Sequence, residues 1–99
     1  MKTYRIIISD NAWNDISDIS NYISSVSSEA NAQMVIRRIF DKLATFKTFP
    51  KRNIIYGHDE KGRTLRATMA GKYRIIYHVS DSEVWIARIV SRASNYINL

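Results

Sequence analysis

The residues with the clearest chemical potential are Arg66, Arg74 and His78, all within R-T-L-R-A-T-M-A-G-K-Y-R-I-I-Y-H-V, Arg63 to Val79. This stretch reads as two strands joined at Ala70-Gly71-Lys72, where glycine and small residues permit hairpin angles. A three-residue turn sets Met69 opposite Tyr73. Leu65, Ala67, Met69, Tyr73, Ile75, Tyr77 and Val79 then share one face, and Thr64, Arg66, Thr68, Arg74 and His78 the other. Ile76 alone breaks the sorting. The expectation is one apolar face against a core and one open cationic face. Two guanidinium groups on rigid strands suit phosphate or carboxylate recognition, although exposed arginines more often only face solvent. A neutral His78 beside Arg66 could act as a base, with cationic neighbours holding its pKa low; a lone strand histidine is more often a surface residue.

Further cations surround the hairpin. Lys51, Arg52, Lys61 and Arg63 could contact a phosphate backbone, and Lys72 lies at the turn. His58, beside Asp59 and Glu60, and His78 are too far apart to suggest metal-ligand spacing, so neither a metal nor another cofactor is expected. Trp85 reads as core.

The net charge of +6 is unevenly placed. Residues 1 to 46 hold five Lys/Arg and five acids, whereas residues 47 to 99 hold ten Lys/Arg and four acids. This asymmetry points to a polyanionic partner, either nucleic acid or an acidic protein segment. The 99 residues suffice for one domain with a modest core, and 45% apolar content is that of a globular protein. The absence of cysteine fits a reducing cytosol. No apolar run approaches a membrane span, and the N-terminus lacks the pattern of a secretory signal.

The elements that must position these residues follow from periodicity. Tyr4 to Ile8 reads as a strand. Ser9 or Asp10 can cap a helix, and Ala12, Ile16, Ile19, Ile23 and Val26 recur at helical spacing. Trp13 and Tyr22 widen that stripe. The serines from Ser24 to Ser28 interrupt it and offer a second cap. Ala32, Ile36, Ile39, Leu43 and Phe46 mark a second helix, ended by Phe49-Pro50. The two helices form an antiparallel hairpin. Lys51 to Gly62 reads as polar and irregular. After the basic hairpin, a turn at Ser80-Asp81-Ser82 leads to a last strand, Glu83 to Val90. The predicted fold is α+β, of order β-α-α-β-β-β, with a three-stranded antiparallel meander and the first strand beside the last.

This order and several strings resemble the RelE/ParE superfamily of bacterial type II toxins. A-W-N-D-I-S-D-I-S-N-Y-I (Ala12 to Ile23), L-A-T-F-K-T-F-P (Leu43 to Pro50), the hairpin from Leu65 to Val79 with its G-K-Y-R-I-I-Y, and V-W-I-A-R-I-V-S-R (Val84 to Arg92) fall in the family's order. The resemblance covers nearly the whole chain. It implies a bacterial cytosolic toxin held inactive by an antitoxin, which Trp13 could contact if it is not core.

The superfamily carries two activities. RelE-like members cut mRNA in the ribosomal A site; ParE-like members poison DNA gyrase. Metal-free RNA cleavage needs a base, neutralised phosphate charge and a proton for the leaving oxygen. By resemblance to RelE-like toxins, Arg74 matches the strand arginine, Arg66 falls near a catalytic lysine, Arg92 supplies the tail's basic residue and Tyr96 stands for the tail tyrosine that moves a proton; His78, from its place on the polar face, is the alternative proton carrier. The hairpin's polar face has no lysine, and the long first helix ending Tyr22-Ile23 leans toward ParE. On these residues ribosome-dependent mRNA cleavage ranks first, gyrase poisoning second, and an inactive relative that only binds antitoxin third.

Overall fold

In the computed structural model, residues 2–93 are described. Strand β1 (Arg5–Ile8) leads into helix α1 (Asp10–Val26), and α2 (Glu29–Ala44) follows after two serines. The side chain of Ser9 accepts the N–H of Ala12, and that of Ser28 accepts the N–H of Asn31. Each cap satisfies one of the N–H groups that a helix start leaves unpaired. The serine run thus ends α1 and starts α2. Two short 3-10 turns follow, Thr45–Lys47 and Pro50–Arg52. Between them Phe49 adopts a left-handed backbone, φ 52°, which reverses the chain ahead of Pro50.

Four further strands complete the sheet: β2 (Ile55–His58), β3 (Thr64–Ala70), β4 (Tyr73–Ser80) and β5 (Glu83–Ser91). The order is β1-β5-β4-β3-β2. The first strand lies beside the last, as expected, and the pairing is parallel; the others are antiparallel. β2 corrects the expectation that Lys51 to Gly62 is irregular. Its bulge and its place at the sheet's edge weaken the alternation that would reveal a strand.

The helices cover one face of the sheet. Ile39, Ile75, Tyr77, Val84 and Ile86 are fully buried there, packed with Ile16, Ile19, Leu43 and Phe46. Each such side chain contributes roughly 1.5–3 kcal/mol relative to an exposed one. Val26 lies outside this core, and Trp13 is half exposed against Phe40, with ring centroids 6.1 Å apart.

Beyond Ile8, β1 no longer covers the edge of β5. Ser9 takes over, donating its N–H to the Ile86 carbonyl and its hydroxyl to the Ala87 carbonyl. Asp15 of α1 then accepts the Ile89 N–H at 2.8 Å and grips Arg88 with both oxygens, at 2.8 and 2.9 Å. A carboxylate on the first helix therefore fastens the helical layer to the sheet and satisfies an edge N–H that would otherwise lack a partner.

Candidate functional site

The hairpin carrying the candidate arginines is tighter than the sequence suggests. Ala70 pairs with Tyr73, leaving a two-residue turn, Gly71-Lys72, with Gly71 at φ +61°. A one-residue change in register moves a whole strand's side chains to the other face. Leu65, Ala67 and Met69 therefore lie with Arg74, Ile76 and His78 on the open face, and Arg66 pairs with Tyr77 on the helix side. This corrects the expected sorting and explains Ile76. It belongs to a second apolar cluster with Leu65, Ala67 and Val90, on which Tyr56 packs.

Arg66 and Arg74 consequently occupy different surroundings. Arg66 donates from one terminal nitrogen to the carbonyls of Lys51 and Asn53, at 3.1 and 2.8 Å. Its neighbour Tyr77 stacks on Phe46, donates its hydroxyl to the Pro50 carbonyl at 2.6 Å and accepts from the Asn53 amide at 2.9 Å. Burial pushes the Tyr77 hydroxyl's pKa up against the opposing pull of Asn53. Together Arg66 and Tyr77 pin the segment 50–53. Arg74 instead lies over the Tyr56 ring, 5.3 Å from its centroid, in a depression also lined by Arg52, Ala67 and Met69.

His78 lies on the open face opposite Trp85. Their rings are nearly parallel, 4° apart in plane, with centroids separated by 6.2 Å. Trp85 is 37% exposed, which corrects its reading as core. Desolvation holds the His78 pKa below that of free histidine; repulsion from Arg63 adds to this, and Asp59 opposes it. Asp59 is fixed by Arg63 and by the backbone N–H groups of Lys61 and Arg63. Desolvation pushes the Asp59 pKa upward, yet these bonds win and hold its carboxyl below the ordinary value.

The structure brings Arg66, His78, Lys51 and Arg63 to one end of the hairpin. It does not bring Arg74 there. Arg52 joins Arg74, Lys61 lies exposed in the β2–β3 turn, and Lys72 lies exposed in the hairpin turn. The backbone N–H of exposed Arg92 donates to the Lys72 carbonyl. Tyr96 lies outside the described residues. Among the described residues, no three His, Cys, Asp or Glu side chains are grouped to hold a metal. Sequence reasoning missed the Asp15–Arg88 clamp. Its signal was an acidic residue beside the apolar stripe of the first helix, within Ala12-Trp13-Asn14-Asp15.

The sequence pattern of the ParE toxins of type II toxin–antitoxin systems matches residues 6–96. The chain belongs to this ParE toxin family. Solved structures support the fold. The chromosomal ParDE system from P. aeruginosa matches with a TM-score of 0.75 at 13% identity, covering 90% of this toxin and 96% of that chain. The RelBE2 toxin–antitoxin complex from Mycobacterium tuberculosis gives 0.67 at 18%, covering 95% and 97%. The archaeal RelE–RelB complex from Pyrococcus horikoshii gives 0.63 at 18%, covering 92% and 97%. At such identities the likeness is one of fold. No curated protein sequence matches the toxin.

Proposed function

We propose that this toxin arrests growth by binding a protein target, DNA gyrase, in the ParE manner and not by cutting mRNA. The observation that carries this reading is the separation of Arg66 from Arg74. Cleavage of a phosphodiester in the RelE manner would need both guanidinium groups on one phosphate. Arg66 instead grips the carbonyls of Lys51 and Asn53 on the helix side, and Arg74 faces the opposite side. The β3 positions that face away from the helices are Leu65, Ala67 and Met69, which supply no proton-transfer group. This reverses the order in which the sequence alone ranks the two activities.

In this reading the toxin acts in the bacterial cytosol and is neutralised by a cognate antitoxin. Trp13, Tyr22, Val26, Met34 and Phe40 leave apolar side chains exposed on the helical layer. Such surface supports docking of a partner. No helix among the described residues is long and apolar enough to cross a membrane.

A short induction in a bacterial host tests the activity. Gyrase poisoning gives filamentation and DNA breaks, suppressed by a resistant gyrase allele, while transcripts stay full length. Rapid transcript fragmentation with intact DNA would overturn it. Growth arrest relieved by co-expressing the neighbouring reading frame would identify the antitoxin.

A further inference from the structure

Two depressions adjoin at the end of the hairpin farthest from Gly71-Lys72, sharing Arg63 and His78. The first lies on the open face, with Leu65 and Trp85 in its lining. The second gathers Lys51, Thr64, Arg66 and Ser80.

In the first, the His78 and Trp85 rings lie nearly parallel, with centroids 6.2 Å apart. The Trp85 indole N–H donates to Glu83 at 3.1 Å, which holds the ring in place, and the side chain is part exposed. In the second, three cationic side chains and two hydroxyls converge. Arg66 uses one terminal nitrogen on the two carbonyls, and a guanidinium has five N–H donors. The carboxylate lining the first depression, Asp59, is already engaged by Arg63 and two backbone N–H groups. No carboxylate lines the second.

We infer that these joined depressions bind single-stranded nucleic acid, with one base stacked against the Trp85 ring beside His78 and a backbone phosphate held among Lys51, Arg63 and Arg66. Aromatic stacking beside a cationic track is the chemistry that recognises unpaired strands, whose base faces are open. A duplex hides those faces. The inference is independent of the gyrase reading, because it requires no protein target and no bond cleavage.

The test uses the full chain and measures fluorescence anisotropy with labelled oligothymidylate, oligouridylate and a duplex of matched length. Both single strands bind, and the duplex binds more weakly. Because single-strand affinity falls by about 0.7 log unit per neutralised phosphate for each log unit of salt, the one phosphate held here gives a slope of about −0.7. Trp85→Ala weakens binding roughly tenfold at an unchanged slope, and Trp85→Phe retains most of it. Lys51→Ala weakens binding and flattens the slope. Circular dichroism verifies that each variant is folded. Absence of binding, equal binding of the duplex, or full affinity in folded Trp85→Ala would overturn the proposal. Cleavage of the oligouridylate would support the site and overturn the non-cutting reading of the toxin.

Discussion

Arg66 and Arg74 leave the same hairpin from opposite faces of the sheet, although an even number of positions separates them across the turn. The two-residue turn is the cause. Arg66 faces the Tyr77 side and ties down the segment 50–53, whereas Arg74 faces the Tyr56 side.

Substitution separates their roles. Arg66→Ala removes two charge-assisted bonds to carbonyls and destabilises the fold by about 1–2 kcal/mol. Arg74→Ala removes a cation lying over an aromatic ring and costs under about 1 kcal/mol. Urea denaturation measures both. Equal losses would mean that Arg66 does not anchor the loop.

The Asp15 clamp has a larger effect. Asp15→Ala leaves part-buried Arg88 without its carboxylate and the Ile89 N–H without its acceptor, a loss of about 3 kcal/mol. Asp15→Asn keeps an acceptor for the Ile89 N–H and costs about half as much. Hydrogen exchange should show the greatest loss of protection along the α1–β5 contact.

Tyr77→Phe keeps the stack on Phe46 but removes both hydroxyl bonds, leaving the Pro50 carbonyl unpaired. The expected cost is about 1–2 kcal/mol by thermal or chemical unfolding. The Asn53 amide resonance should move in the nuclear magnetic resonance spectrum of the variant.

His78 gives the fold a pH dependence. Its folded pKa lies below the free value near 6.5, so the unfolded chain takes up this proton first. The contribution to stability is present above about pH 6.5 and is lost as pH falls through the folded pKa. His78→Gln should flatten the urea midpoint between pH 7.5 and 5, measured against the wild type. An unchanged slope would show that the imidazole is not desolvated in the native state.

Sequence alone made the helices legible because Ala12, Ile16, Ile19, Ile23 and then Ala32, Ile36, Ile39, Leu43 repeat at helical spacing over about three turns each. It also gave the flanking placement of the first strand. The hairpin register was not legible, since Ala70-Gly71-Lys72 is compatible with either turn length. Ile76 was the residue that disagreed with the wrong register. β2 was hidden by its shortness, its bulge and its exposed Ile55. For the site, the identities of Lys51, Arg63, Arg66 and His78 could be read from the chain. Their meeting at one end of the sheet could not, because it depends on segment 50–53 folding back against β3 and β4.

The parallel pairing of β1 with β5 joins residues about eighty positions apart, such as Arg5 and Glu83. During synthesis, β1 emerges early and waits, without its sheet neighbour, until the final strand clears the ribosome exit tunnel. Prematurely terminated chains lack β5, and with it the seat for both β1 and the Asp15 carboxylate. The order of assembly therefore keeps β1 and the helical layer from their final seat until β5 has been made.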